Sequence, residues 1–279
     1  MDNKLPDVDR YGVIGYPVTH SRSPVIHRLF AMQTRQDLQY ELLHVAPGKL
    51  EVAIRQFQRT GGKGLNVTLP HKTEVVRLVD QMSEPASSAG AINTLTFRGD
   101  EIHGDNTDGS GLLRDLLVNL DLDLKDASIL ILGAGGATRG IVGPLLDTGP
   151  GSITIANRTL SRARLLAEHF SAMGSVTACR FTEINPTSSF DLVINATSAG
   201  VKGEVAPYPD SAVTDRTFCY DLSYGLKPTP FSSWAAKKGA ARSVMGWGML
   251  VEQAADSFEI WRGVRPDTRP VLKQISVNA

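Results

Sequence analysis

The sequence predicts an α/β protein of two domains, each an open, mainly parallel sheet with helices on its faces. Strand-like and helix-spaced apolar runs alternate from end to end, the βαβα order of a largely parallel sheet. The alternation breaks once, at the polar junction DLDLKD (121–126), and restarts with the buried-type strand SILIL (Ser128–Leu132). Such a restart marks a domain boundary, and 279 residues suit about two domains.

The elements follow in order. YGVIGY (Tyr11–Tyr16) reads as a strand, and Pro24–Thr34 has helical spacing through Val25, Ile26, Leu29 and Phe30. Gln39–Val45 is a strand, Pro47 to about Thr60 a helix and Gly64–Leu69 a short strand. His71–Asp80 reads as a helix with Val75, Val76 and Val79 on one face. Ala91–Phe97 and Ile102–Gly104 form a hairpin around Arg98-Gly99-Asp100, and Gly109–Leu120 is a strongly apolar helix. After the junction come strand Ser128–Leu132, helix Thr138–Asp147, strand Ser152–Ala156 and helix Leu160–Met173. Strands Val176–Phe181, Asp191–Asn195 and Phe218–Leu222 follow, then a helix near Thr229–Lys238. An amphipathic segment, Met249–Arg262, is stopped by Gly263 and Pro266. Ala199–Pro209, rich in Gly and Pro, is the most flexible-looking stretch.

Composition narrows the function. Lys+Arg and Asp+Glu are equal at 29 each, so the basic excess of a general nucleic-acid or membrane-surface binder is absent. Cys179 and Cys219 lie in apolar, strand-like contexts and read as small buried hydrophobes rather than a disulfide framework. The N-terminus is polar without a secretory h-region, and no apolar run approaches the ~20 residues that span a bilayer. A reducing cytoplasm is therefore expected. The six histidines are scattered and none makes a zinc-helix pattern, so no metal is expected.

Gly133-Ala134-Gly135-Gly136-Ala137 directly follows the SILIL strand and opens a helix. A tight turn needs glycine at the strand end, a second glycine lets backbone approach a pyrophosphate, and the helix N-terminus supplies free N–H groups. Thr138 stands where a third glycine is usual. At the end of the next strand, where NAD sites carry a carboxylate for the ribose, this chain has Asn157-Arg158-Thr159, with Arg162 one turn on. A guanidinium fork clamps a phosphate that a carboxylate would repel, so the cofactor expected is NADP.

Three polar stretches lie at strand ends, which face the ligand crevice in open α/β sheets. His20-Ser21-Arg22-Ser23-Pro24 precedes a helix; its serines are caps or hold an anion such as a carboxylate. In Asn66-Val67-Thr68-Leu69-Pro70-His71-Lys72, the lysine falls on the first turn of the predicted helix, where it opposes the dipole. That placement tends to depress a lysine's pKa and suits an acid–base role. Asn93-Thr94 and Gly104-Asp105-Asn106-Thr107-Asp108-Gly109 make the third; Asp105 or Asp108 caps the next helix, or Asp108 pairs with Lys72. A Lys–Asp pair moves a proton at a hydroxyl while a nicotinamide handles the hydride.

These pieces, with N-A-T-S (195–198), Y-D-L-S-Y (220–224) and G-W-G-M-L-V-E-Q-A (246–254), resemble the shikimate dehydrogenase family in order and spacing across nearly the whole chain. The resemblance implies an NADPH-dependent reduction of 3-dehydroshikimate to shikimate on the way to aromatic amino acids. It makes Lys72 and Asp108 the catalytic pair. Ser21 and Ser23 would hold the substrate carboxylate, and Thr68, Asn93, Tyr224 and Gln253 would contribute to substrate binding. Gly133, Ala134, Gly135, Gly136 and Ala137 would take the pyrophosphate. Asn157, Arg158, Thr159 and Arg162 would take the adenosine 2′-phosphate side, with Thr197, Leu222 and Gly246 completing the cofactor site. It implies a substrate-binding and catalytic domain over 1–108, a Rossmann-type NADP-binding domain over 109–246 and C-terminal helices over 247–279 that return to the first. A monomer or homodimer is expected. One position departs: Met245 stands where the family commonly carries Asp. A relaxed quinate/shikimate dehydrogenase is the alternative within enzymes, and Arg158 and Thr159 speak against its usual NAD preference. A non-catalytic nucleotide sensor is the alternative outside them, and it would need neither Lys72 nor Asp108.

Overall fold

The computed structural model describes residues 8–185, 189–197, 199 and 206–277. Ser198, most of the Ala199–Pro209 loop and most of the polar N-terminus fall outside these residues. Contacts divide the chain into two compact units. The first runs to Asp108 and takes in Val251–Lys273; the second comprises Gly109–Leu250 and the residues from Gln274 onward.

The first unit holds a six-stranded sheet. Its strands are β1 (Asp9–Gly15), β2 (Leu38–His44), β3 (Gly62–Val67), β4 (Gln81–Met82), β5 (Thr94–Arg98) and β6 (Glu101–Asp105), in the order β2-β1-β3-β5-β6-β4. β1 is parallel to β2 and β3, whereas β5 runs antiparallel to both β3 and β6. One face packs Ile14, Leu65, Val67 and Leu95 against Ile54 and Phe57 of α2 (Leu50–Arg59). Aromatic contacts mark the other face, where α1 (Ser23–Thr34) brings His27 and Phe30 to Phe258 and Trp261. Trp261 also stacks on Tyr11 at 4.6 Å.

The predicted helix over His71–Asp80 is not present; a turn leads into a 3-10 turn, Val75–Leu78. Two anchors prevent the helix. The buried His71 ring is pinned by Nε2 to the Val45 carbonyl at 2.7 Å. Val79 is already extended, so that Asp80 can accept the Ile102 N–H and lead into β4. Valines at 75, 76 and 79 gain little from a helix in any case. Lys72 therefore has no helix dipole behind it, and that part of its sequence rationale is withdrawn.

The second unit is a six-stranded parallel sheet of β7 (Ser128–Leu132), β8 (Ser152–Ala156), β9 (Val176–Cys179), β10 (Leu192–Asn195), β11 (Phe218–Asp221) and β12 (Arg242–Met245). The order is β12-β11-β10-β7-β8-β9, the doubly wound Rossmann arrangement, with its switch point between β7 and β10. Alternation along β7 explains its continuous apolarity. Ile129 and Ile131 enter one core with α5 (Gly136–Asp147) and α6 (Leu160–Phe170), while Leu130 and Leu132 enter another with Phe231 and Ala235 of α7 (Pro230–Lys237). The helix predicted over Gly109–Leu120 forms as α4 (Asp108–Arg114) running into a π-turn, Asp115–Asn119. There the buried Asp115 carboxylate accepts the Tyr220 hydroxyl at 2.6 Å, and that hydroxyl also accepts the Met249 N–H. Met249 lies in the first turn of α8 (Trp247–Arg262), which is followed by α9 (Thr268–Val277).

Candidate active site

In the first unit, the ends of β1 and β3 are tied by the Tyr16 N–H to the Leu69 carbonyl. Gly15 is required there, because a Cβ would strike the Thr68 methyl. Thr68 is half-buried at the exit of β3. Ser21 and Ser23 meet at the start of α1, Oγ to Oγ at 3.1 Å, and Ser21 Oγ accepts the Ser23 N–H at 3.3 Å. Neither serine caps α1: the cap position is Arg22, no side chain caps it, and Ser21 lies one residue before it.

Lys72 is held from both sides: His71 is anchored in the core, and the Lys72 carbonyl accepts the Ile92 N–H at 2.8 Å. Its Nζ reaches both oxygens of Asp108, at 2.8 and 2.6 Å. The pair is largely shielded, with side-chain exposures of 15% and 4%. In low-dielectric surroundings, such a pair persists only when its remaining valences are satisfied. Asn93 does so, donating from Nδ2 to Asp108 Oδ1 at 3.0 Å and to Thr107 Oγ1 at 2.9 Å. Asp108 is the first residue of α4 rather than its cap, and its N–H donates to Asn106 Oδ1 at 3.0 Å. Gln253 joins the cluster, its Oε1 at 3.3 Å from Asn93 Nδ2. Lys72, Asp108, Asn93 and Gln253 thus converge, with Thr107, Thr94 and Asn66 behind them. Those three lie in motifs that the sequence singled out, but their part as supports depends on register and was not legible.

In the second unit the glycine turn closes as its sequence requires. Gly133 has φ +107°, and a Cβ there would stand 2.9 Å from the Ala196 carbonyl, so only glycine fits. Its N–H bonds the Ala156 carbonyl at 2.8 Å, which brings the turn beside Asn157. Thr138, in place of the third glycine, is fully buried and donates its hydroxyl to the Gly133 carbonyl at 2.9 Å. Gly135 differs: among the described residues nothing lies within 4 Å of a Cβ built there. Packing among the described residues does not demand glycine at 135; bare backbone at the α5 N-terminus, flanked by Ala134, Gly136 and Ala137, leaves room for a phosphate to approach. Asn157 donates to the Thr159 carbonyl at 2.8 Å, setting the loop that carries Arg158. Arg158 and Arg162 are both exposed, and among the described residues neither has an acidic partner. This donor set, two unneutralised guanidiniums and a hydroxyl, fits a 2′-phosphorylated dinucleotide.

At the switch point, Thr197 donates to Asn195 Oδ1 at 2.8 Å and the Leu222 N–H bonds the Asn195 carbonyl. Asn195 in turn donates to Asp221, which also accepts from Ser223 N–H and Thr229. Burial pushes the Asp221 carboxyl up, and the donors from Thr229, Ser223 and Asn195 oppose that. Gly246 packs on the Asp221 and Leu222 carbonyls, 2.8 Å from where its Cβ would be. Met245 is half-buried and pairs in register with Asp221, so an acid there would stand beside an already buried carboxylate. Tyr224 belongs to this unit and packs on Trp247 at 4.7 Å between ring centres.

Fold and sites together define a dinucleotide-type α/β protein whose other unit carries a shielded Lys–Asp pair. Comparison with known proteins is specific. Residues 13–95 match the shikimate dehydrogenase substrate binding domain, 116–203 the shikimate / quinate 5-dehydrogenase model and 246–275 the shikimate 5′-dehydrogenase C-terminal domain. The shikimate dehydrogenase (NADP(+)) of Alkalilimnicola ehrlichii is 50% identical over 95% of this chain and 97% of its own length. Among solved structures, an Ael1 enzyme from Pseudomonas putida superposes with a TM-score of 0.85 at 42% identity, over 96% of this chain and 98% of that one. A Thermus thermophilus shikimate 5-dehydrogenase in complex with NADP(H) and shikimate has a TM-score of 0.83 at 29% identity, over 97% and 99%. The chain belongs to the shikimate dehydrogenase family.

Proposed function

We propose that this chain catalyses the NADP-dependent, reversible reduction of 3-dehydroshikimate to shikimate, a step of chorismate and aromatic amino-acid biosynthesis. The observation that carries the reading is the Lys72–Asp108 pair, bonded at 2.6 Å and oriented by Asn93. A dinucleotide held by the glycine turn of the second unit would supply the hydride for the carbonyl carbon, or would take it up in reverse. Lys72 donates a proton from Nζ to the substrate oxygen as the hydroxyl forms, and Asp108 holds the ammonium in line. In the oxidative direction the pair accepts the hydroxyl proton. Ser21 and Ser23 hold the carboxylate; Thr68, Asn93, Gln253 and Tyr224 hold the rest of the substrate. Gly133–Ala137 receive the pyrophosphate, and Asn157, Arg158, Thr159 and Arg162 the 2′-phosphate end, with Thr197, Leu222 and Gly246 beside them. The first unit is then the substrate and catalytic domain and the second the NADP domain.

The enzyme acts as a monomer or homodimer. Two free cysteines, one of them buried, suit a reducing cytoplasm. Among the described residues, no helix is long and apolar enough to cross a membrane.

A second reading, relaxed action on quinate, is favoured by the family model over 116–203, whose description covers both acids. Initial rates of NADP reduction with shikimate and quinate test both. Turnover with shikimate far above quinate is expected, comparable rates establish the relaxed enzyme, and a folded protein inert to both overturns the proposal. In the same assay Lys72→Ala loses about 10²–10⁴ in kcat, the span of acid–base catalysis, with a much smaller change in KM.

A further inference from the structure

Behind the Lys72–Asp108 pair lies a buried layer of amides and hydroxyls whose orientations are determined, because several contacts are to groups that only donate or only accept. Asn93 Oδ1 lies 2.9 Å from the Thr107 N–H, a pure donor, so Nδ2 must be the atom facing Asp108. Asn66 Nδ2 lies 3.2 Å from the Asn93 carbonyl, a pure acceptor, so its Oδ1 must face Tyr40, whose hydroxyl donates to it at 2.7 Å. The same Nδ2 reaches Thr94 Oγ1 at 3.1 Å and Ser257 Oγ at 3.0 Å. Ser257 donates to the Gln253 carbonyl at 3.0 Å, and Thr94 Oγ1 lies 2.9 Å from Asn93 Oδ1.

Donors therefore point one way, from Tyr40 to Asn66, from Asn66 to Thr94, from Thr94 to the Asn93 side-chain oxygen and from Asn93 Nδ2 to Asp108. Without the Tyr40 hydroxyl, the orientation of Asn66 rests on the Asn93 carbonyl alone, because the Thr94 and Ser257 hydroxyls can donate or accept and so suit either orientation. The Tyr40 ring is itself held flat, stacked on His27 at 4.2 Å and 8°. Burial keeps His27 neutral, its pKa lowered to about 3 against a smaller opposing effect of Asn66, and among the described residues neither ring nitrogen has a partner within hydrogen-bond geometry, so it serves as a wall.

We propose that Tyr40 is a positioning residue for the proton-transfer pair, locking Asn66 so that Asn66, Thr94 and Ser257 hold Asn93 as the donor to Asp108. The kinetic part of this inference rests on the function proposed above; the orientation of Asn93 does not.

Tyr40→Phe, Ser257→Ala and the double variant test it. Tyr40→Phe should lower kcat about tenfold, with both KM values within about twofold and the thermal midpoint nearly unchanged. Because the two act through the same amides, the double variant should lose little more than the worse single one. Independently of turnover, the Asn93 side-chain amide resonances of the Tyr40→Phe protein should shift or broaden. Unchanged kcat with unmoved Asn93 resonances overturns the proposal. So does a rise in KM alone, or losses that multiply in the double variant. A wild type inert to shikimate overturns the assigned function, while the Asn93 resonances still decide the positioning role.

Discussion

The candidate sites of the two units are built from different materials. In the first, side chains are set by other side chains: Lys72, Asp108 and Asn93 are largely buried, and donors and acceptors are matched along the layer behind them. In the second, the turn proposed to seat the pyrophosphate is backbone, shaped by Gly133 and Gly135, and Arg158 and Arg162, proposed to select the phosphate, are exposed. Chemistry that depends on where one proton sits needs a shielded, over-determined carboxylate. Selection of a charged group on a cofactor needs an unneutralised cation and a backbone that leaves room.

The glycines break this comparison most severely. Gly133→Ala forces a side chain into φ +107° and against the Ala196 carbonyl, so it should destabilise the fold by about 1–3 kcal/mol and weaken NADP as well. Gly135→Ala meets no atom of the described residues within 4 Å and should unfold at nearly the wild-type temperature while NADP affinity falls about tenfold. Thermal melts with and without NADP check both, and loss of fold in Gly135→Ala would refute the division between a glycine the protein needs and one the ligand needs.

His27 sharpens the other side with a smaller effect. Desolvation lowers its pKa from the usual 6.5 to about 3, so below pH 6.5 the unfolded chain takes up a proton that the folded chain refuses. Stability is complete above that pH and is lost as pH falls toward 3. By pH 4.5 the loss is about 2–3 kcal/mol. Urea unfolding of wild type and His27→Phe at pH 7 and 4.5 should show a shallower pH dependence in the variant; parallel curves would mean that His27 is not kept neutral.

Much of this arrangement was legible in the sequence. Periodic apolar runs located most strands and helices, and the glycine turn closes between β7 and α5 as its sequence requires, because both are dictated locally. Lys72 was found with a mistaken reason: valine periodicity suggested a helix that the anchors at His71 and Asp80 forbid. α3 (Glu84–Ala89) carries the signals of Ser83 as cap and Pro85 in its first turn, yet is too short for periodicity to reveal. β12 is short and lacks a buried alternation, and α9 begins around a proline. Tyr40 was illegible, because its meeting with Asn66 depends on how strands that are remote in sequence are ordered in the sheet. Ser257 left one trace, its i+4 spacing from Gln253 on the same helix.

The separation of chemistry from cofactor choice is tested most directly by Arg158→Asp, measured with NADP and NAD at saturating shikimate. The KM for NADP should rise about 10–100-fold, the worth of charge-assisted bonds to a phosphate, and the NADP/NAD preference should collapse. At saturation kcat should stay within about threefold, since the Lys72–Asp108 pair is untouched. An unchanged KM for NADP, or a kcat that falls along with affinity, would contradict the account.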